Sequence, residues 1–443
     1  MSCLHNSTVF FKCKQYTCKI LETREDFSEL RMEVRSEQKA EQVFCPFCGG
    51  KVETHQVLTE TIKELPFVPR TPIYLDIEKH QYICTSCHRT HTEKVPFKEE
   101  GTRLTKRLAN WIRGLLVCRV PVSSISKLLG VHWDTIRFIQ KKYITESLEK
   151  HTKSLKESGY KPKMLAVDEF AIHRGHKYAT SVMDLDTGEI LWVGHGRGLT
   201  DFSAFFAEYD MDYLSDVVAV AMDMNASFNR LFSEKMPWAE IVYDRFHMQA
   251  QFGREVLGSV RLEEARKHKE NAKQLTEEMH TVSSENRQSM KDAIRVEKTH
   301  YRAVKRSRWS VLRSKDNLSE KAERNLQAIL DSHENLAVCY AMKEEMNELF
   351  SLRNTEEASR RWLAWFEAAK SSGIPALVSF ASHKESRIPG LIAHAKYPIS
   401  TGKLEGLNNK IKVAKRDAYG YRDEDYFFSL IRFLSLPSIR AHT

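Results

Sequence analysis

The chain has 443 residues, 42% of them apolar and 29% charged, which suits a folded protein of several domains. It carries 68 Lys and Arg against 59 Asp and Glu, a formal net charge of +9 that permits a polyanionic partner without requiring one. No apolar run reaches the roughly 18 residues of a membrane helix and no signal-peptide pattern opens the chain, so neither membrane spanning nor secretion is expected.

Residues 1–40 show no readable pattern and are left unassigned, with Cys3, Cys13 and Cys18 taken as structural or free thiols. Nine cysteines is an odd number, and four of them sit in tight pairs, which suits metal binding in a reducing compartment better than a disulfide framework. The pairs are Cys45-Pro-Phe-Cys48 and Cys84-Thr-Ser-Cys87. Two such knuckles present four thiolates as a tetrahedron, the donor set of a closed, structural Zn²⁺ site. His88 and His91 are alternative ligands. The segment between the pairs contains Pro66, Pro69 and Pro72 and then a strand-like run at 73–77, which suits a hairpin excursion.

Residues 103–118 have helical periodicity through Leu104, Leu108, Trp111, Ile112, Leu115 and Leu116. Residues 120–142 read as helix, tight turn at Gly130, helix. Ser123 is the expected cap of the first helix, which Ile125, Leu128 and Leu129 would pack. Val131, Ile136 and Ile139 would pack the second. His132, Trp133, Thr135, Arg137, Gln140 and Lys141 are then exposed on the second helix, and these are groove-reading and phosphate-binding types. A DNA-binding helix-turn-helix follows, with an ordinary helical hairpin as the plainer alternative. Residues 146–158 read as a charged linker helix.

The run at 164–168 is apolar and ends in Asp168. Further strands are expected at 178–186, 189–193, 217–222 and 240–243, with helices at 201–209 and 225–234. The run at 217–222 leads into Asp223, and the run at 240–243 into Asp244-Arg-Phe-His247. Three antiparallel strands followed by alternating helices and strands is the order of the ribonuclease-H-like fold. Asp168 and Asp223 would lie side by side there, and adjacent carboxylates are costly unless they share cations. Two Mg²⁺ ions, which Mn²⁺ can replace, suit oxygen ligands and phosphodiester chemistry.

Residues 249–372 read as helix almost throughout. Trp309, Leu312, Leu336, Tyr340, Met342, Leu349, Phe350, Trp362, Trp365 and Phe366 are the expected bundle core. The run Tyr301-Arg-Ala-Val-Lys-Arg-Ser-Arg-Trp309 is either a phosphate-backbone contact or a solvated basic face. Near the end, Glu405 falls in the first turns of a helix. Asn408, Asn409 and Lys412 follow on or near the same face. Lys410, Lys415 and Arg416 make that segment basic and are read as DNA-binding. A final apolar helix is expected at 426–434.

Asp168-Glu-Phe-Ala-Ile with Lys177-Tyr-Ala-Thr, Asp223-Met-Asn, Asp244-Arg-Phe-His247, and Glu405-Gly-Leu-Asn-Asn-Lys-Ile-Lys together resemble the DDE transposases of bacterial insertion sequences, in the ISL-three family. The resemblance runs from about Cys45 onward, leaving residues 1–40 unmatched. It implies that Asp168, Asp223 and Glu405 are the catalytic acids and hold two divalent ions. It also implies that Asp244 and His247 lie near the site, with Asn408 and Lys412 as accessory groups. Asp244 in place of Asp223 is the alternative for the second acid.

The expected architecture is a multidomain α+β chain. It comprises a zinc-ribbon-like module at 41–95, a helix-turn-helix at 100–145, a ribonuclease-H-like α/β core at 160–250 and 386–443, and an all-helical insertion at 251–385. The expected function is a cytoplasmic, nucleoid-associated bacterial transposase. It would bind the terminal inverted repeats of its element as a homo-oligomer on double-stranded DNA, and would cleave and join strands there and at target DNA. The alternatives are a non-enzymatic DNA-binding protein with a decayed or domesticated core, and a nuclease without a joining step.

Overall fold

The computed structural model describes residues 16–23, 28–66, 71–173, 177–281, 283, 285–313, 315–399, 402, 406, 409, 411–413 and 423–440. The chain forms two units, Met1–Ser158 with Val413–Thr443, and Gly159–Lys412.

The first unit opens with strands β1 (Tyr16–Thr23), β2 (Leu30–Ser36), β3 (Val52–Glu64), β4 (Ile73–Cys84) and β5 (Thr90–Thr92). They form one sheet in the order β1-β2-β4-β3, with β5 also paired to β4. Alternation builds its core. Leu30, Met32 and Val34 are buried on β2, and their parallel partners Ile73, Leu75 and Ile77 are buried on β4. Part of the segment left unassigned from sequence therefore belongs to this sheet. β3 and β4 pair antiparallel from Val52↔Cys84 to Glu64↔Ile73, so the long spacer between the cysteine pairs is a hairpin. Pro69, Cys3 and Cys13 lie outside the described residues, as does the Cys18 side chain.

Helices α1 (Lys106–Val117), α2 (Val122–Leu129) and α3 (Trp133–Ser158) follow and share a core of Leu108, Ile112, Ile125, Leu129, Ile136 and Ile139. Gly130 makes the turn between α2 and α3 in the left-handed region, at φ 58°, where a side chain would be strained. Three expectations are corrected here. Ser123 does not cap α2: Pro121 holds the cap position, and its carbonyl accepts from Ser124 and Ile125. Trp111 and Leu128 are 52% and 67% exposed, because the apolar face of a short helix is wider in sequence than the face that packs. No glycine or proline interrupts residues 133–158, so the recognition and linker helices are one 26-residue helix.

The second unit carries β6 (Met164–His173), β7 (Lys177–Asp184), β8 (Glu189–His195), α4 (Leu199–Glu208), β9 (Ala219–Met222), α5 (Ala226–Lys235) and β10 (Glu240–Tyr243). The sheet order is β10-β9-β6-β7-β8. β6, β7 and β8 are antiparallel neighbours, whereas β6, β9 and β10 run parallel. Phe202, Phe205, Phe228 and Phe232 from α4 and α5 cover it in one aromatic cluster. β6 runs past Asp168 to His173, although its pairing with β9 stops at Ala166↔Ala221.

Then come α6 (Arg245–Phe252), α7 (Gly258–Glu278), α8 (Arg287–Arg306), α9 (Arg308–Leu312), α10 (Glu320–Asp331), α11 (Glu334–Leu349), α12 (Thr355–Ser371), α13 (Pro375–Lys384) and α14 (Ile388–Lys396). Trp362, Trp365, Phe366, Phe350 and Leu336 form the buried core as expected. Trp309 does not join it: it is 65% exposed, with the Arg308 guanidinium over its ring.

Gly390 on α14 lets that helix meet β10. A Cβ there would lie 2.4 Å from the Tyr243 ring and 3.1 Å from the Ile241 carbonyl. The ring cannot yield easily, since Tyr243 donates to Asn229 and accepts from Arg387 at 3.2 Å. Gly390→Ala is expected to destabilise this unit by about 1–3 kcal/mol through overpacking, read as a lower denaturation midpoint of the whole protein.

The last helices, α15 (Glu424–Ser435) and α16 (Pro437–Arg440), belong to the first unit. Tyr426, Leu430 and Phe433 of α15 pack with Ile144 of α3. The segment expected at 386–443 as one part of the sheet domain is thus divided, with α14 on β10 and α15 on α3.

Candidate active site

Asp168, Asp223 and Asp244 converge because of strand register. Ala166 pairs with Ala221 across β6 and β9, and Met222 pairs with Tyr243 across β9 and β10. Counting on from those pairs, the three aspartates stand level across three adjacent parallel strands, Asp168 within β6 and Asp223 and Asp244 just past the ends of β9 and β10. Each carboxylate is held by a local amide. Asp168 Oδ1 accepts from the Glu169 amide at 2.8 Å, Asp223 Oδ1 from Met224 at 2.6 Å, and Asp244 Oδ1 from Phe246 at 2.9 Å. The last contact also makes Asp244 the N-cap of α6.

One turn into α6, the His247 ring stands among all three. Its Nε2 is 3.8 Å from Asp168 and 3.6 Å from Asp244, and its Nδ1 is 3.7 Å from Asp223. These separations exceed hydrogen-bond length. Exposure falls from 41% at Asp223 to 18% at Asp168 and 9% at Asp244. The first two therefore open to solvent, while the third is nearly closed in. Three acids facing one point repel, and a cation relieves that. Carboxylate oxygens are the donor type of Mg²⁺ and Mn²⁺.

Neighbouring groups not anticipated from sequence complete the rim. Asn225, the N-cap of α5, donates to Glu169 at 2.6 Å, and Arg197 lies 3.6 Å from the same carboxylate. That network ties the chain after Asp223 to the chain after Asp168. Its signal was present, since Asn225 lies inside the Asp223-Met-Asn motif. Burial lowers the pKa of the Lys384 ammonium from its ordinary value, against the pull of Glu255 and Asp223. Glu405, Asn408, Lys410, Lys415 and Arg416 lie outside the described residues, whereas Lys412 is exposed on a helical turn.

In the first unit, the sulfur atoms of Cys45, Cys48, Cys84 and Cys87 all lie within 4.8 Å of one another. Cys45 and Cys87 are 3.6 Å apart, and Cys48 and Cys84 are 3.5 Å apart. Four sulfurs around one Zn²⁺ at about 2.3 Å would be separated by roughly 3.8 Å. The two knuckles repeat one backbone pattern. Gly49 donates to the Cys45 carbonyl and His88 to that of Cys84, while Cys45 and Cys84 donate to Gly50 and Arg89. Gly49 and His88 both take positive φ, at 73° and 56°. The Cys87 amide, helped by that of Ser86, holds the Cys84 thiol down to about 6 despite burial. Cys48 is pushed up to about 12: the Gly50 amide lowers it, but the neighbouring sulfurs outweigh that amide. The set fits a zinc site, and among the described residues neither His88 nor His91 joins it.

Just before α3, His132 is exposed; on α3, Trp133 and Lys141 are exposed, and Thr135, Arg137 and Gln140 are half-buried. Arg137 lies 3.5 Å over the Tyr426 ring, and Lys141 pairs with Asp423 at 2.5 Å. The C-terminal helix therefore engages two cations that sequence assigned to DNA. His132, just before α3, and Trp133, its first residue, are exposed. No helix among the described residues is long and apolar enough to cross a membrane.

A family described as transposase matches residues 165–431, and the helix-turn-helix domain of transposase family ISL3 matches residues 93–144. The chain is 31% identical over 394 residues to the transposase for insertion sequence element IS1001 of Bordetella parapertussis, covering 89% of each. It is 22% identical over 360 residues to the transposase for insertion sequence element IS1557 of Mycobacterium tuberculosis, covering 81% of this chain and 78% of that one. The transposase match spans more than half the chain and includes all three aspartates, so the protein belongs to the ISL3 family of insertion-sequence transposases.

Proposed function

We propose that this transposase binds the inverted repeats of its element, cuts the strand at each end to leave a 3′-hydroxyl, and joins that hydroxyl to target DNA. Asp168, Asp223 and Glu405 are its catalytic acids and hold two divalent ions, Mg²⁺ or Mn²⁺. When bound, such ions polarise the phosphodiester and favour the deprotonated attacking oxygen. The observation that carries the reading is the level placement of Asp168 and Asp223 on adjacent parallel strands, open to solvent and facing one histidine.

The strand order, three antiparallel and then two parallel, supports a ribonuclease-H-like core, with residues 251–385 as its helical insertion. Asp168 and Asp223 offer their oxygens to the ions, and their amide contacts fix the carboxylate planes. Asp244 acts as a positioning residue that caps α6 and so presents His247. Asn408 and Lys412 steady the scissile phosphate, with Lys410, Lys415 and Arg416 on the DNA backbone. The four cysteines hold a structural Zn²⁺. His132 and Trp133 read the repeat, while Arg137 and Lys141 brace α3 against α15. A homo-oligomer follows from the need to hold two DNA ends, and the bacterial cytoplasm from the DNA substrate.

A comparison of Asp223→Asn with Asp244→Asn tests the assignment. Asparagine caps a helix about as well as aspartate, so Asp244→Asn keeps α6. Asp223→Asn is expected to abolish Mg²⁺-dependent cleavage of a repeat-bearing duplex. Asp244→Asn is expected to slow it by about 10–100-fold, the range for groups that orient ligands. Full activity of Asp223→Asn beside a dead Asp244→Asn would exchange the two roles.

A further inference from the structure

The chain's positive charge is concentrated on one helix far from the helix-turn-helix in sequence. α8 carries seven cations against two carboxylates, a surplus of five, within a chain whose net charge is +9. Its partner α7 carries five of each, and Lys267 and Lys273 there are paired with Glu263, Glu264 and Glu277.

The cations of α8 are also ordered. Arg287, Lys291, Arg295, Lys298, Arg302 and Lys305 recur at intervals of four, four, three, four and three, and Arg306 follows. At about 100° per residue, the six fall within an arc of roughly 80° along a rod of about 27 Å. Every one of them is exposed. Among the described residues only Arg295 has a carboxylate within ion-pair distance, Asp292 at 3.2 Å, and Lys305 reaches the Tyr301 hydroxyl. Lys291, Lys298 and Arg302 line a shallow groove with Thr276 and Met279 of the α7 side.

A solvated surface does not account for this pattern. Cations at the end of a helix complement its dipole, which covers Lys305 and Arg306. Arg287 and Lys291 stand in the first turns, where the dipole disfavours them, and no acid accompanies them in the first turn. A single-sign stripe with one ion pair among its six cations is also self-repelling. Both costs are offset when a polyanion lies along the stripe.

We propose that α8 is a second DNA-binding surface that follows the phosphate backbone of duplex DNA without reading its sequence. The Tyr301–Trp309 run noted in the sequence is the distal end of this longer stripe. The proposal rests on the family's DNA binding and is independent of the acid assignments.

The test measures binding of the full-length protein in EDTA to a repeat-bearing duplex and to a scrambled duplex across a salt series. Removing one cation that neutralises a phosphate lowers the slope of log affinity against log salt by about 0.9. Lys291→Gln, Lys298→Gln and Arg302→Gln combined are expected to lower it by about 2 to 3 on both duplexes. Lys267→Gln with Lys273→Gln, on the paired surface of α7, is expected to leave it unchanged. If the triple variant loses helix by circular dichroism, the single variants serve, each lowering the slope by about 0.9. An unchanged slope in variants that keep their helix overturns the proposal, and so does a drop confined to the repeat-bearing duplex. An acidic protein partner for α8 would show itself as that unchanged slope.

Discussion

Asp168→Asn is expected to leave the protein folded and able to bind its DNA ends, yet to reduce cleavage on the order of a thousandfold, the scale on which one preorganised charge-stabilising group acts. The substitution changes charge with almost no change in shape. Asp168 is 18% exposed and faces His247 together with Asp223 and Asp244. Removing one of three mutually repelling carboxylates relieves strain in the protein without its ions. The melting temperature in EDTA is therefore expected to hold or rise. Divalent ions are expected to stabilise the wild type by more than the variant, since they bind only the folded site. Loss of activity with gain of stability is the signature of a group kept for function. A variant that melts well below wild type and retains its cleavage rate would make Asp168 a structural residue.

The other large effect concerns the four cysteines. The purified protein is expected to hold one zinc per chain by elemental analysis. Cys84→Ser, or a strong chelator, is expected to abolish that binding and with it the fixed end of the β3–β4 hairpin. Structural zinc sites of this kind contribute about 10–16 kcal/mol near neutral pH, as much as the whole stability of a typical domain. Cys84 is the most informative position, because it is fully buried and its sulfur accepts two amide hydrogens. Cys118→Ser, at an exposed thiol outside the cluster, is expected to keep the zinc. A protein that purifies without zinc, or a Cys84→Ser variant with unchanged melting, would remove the metal from this cluster.

The strands that lead to Asp168, Asp223 and Asp244 were legible because each of these aspartates follows a short apolar run, and such runs read as buried strands wherever they sit. That Asp168, Asp223 and Asp244 stand level depends on the Ala166↔Ala221 and Met222↔Tyr243 pairings, which no local pattern encodes. The knuckles were legible from spacing alone, since tetrahedral thiolate coordination demands it. β1 and β2 were not: β2 is a short strand whose parallel partner, β4, begins far along the chain at Ile73. Leu128 and Trp309 were placed in cores that they do not enter, and Trp111, counted in the periodicity of its helix, is exposed, because helical periodicity gives the direction of an apolar face without its edges. The role of Lys141 was hidden for a different reason. A lysine on a polar helix face looks free for DNA until the fold brings Asp423, 282 residues away, beside it.

Mg²⁺-dependent cleavage and joining of a duplex carrying the inverted repeats that flank this gene tests the transposase mechanism most directly. Wild type is compared with Asp168→Asn, Asp223→Asn and Glu405→Gln. The predicted result is cleavage at the repeat ends and a joined product from wild type, with each variant binding the duplex but producing neither. Tight repeat binding by wild type without cleavage, in Mg²⁺ or Mn²⁺, would contradict the mechanism and leave a DNA-binding protein. Cleavage without joined product would leave a nuclease.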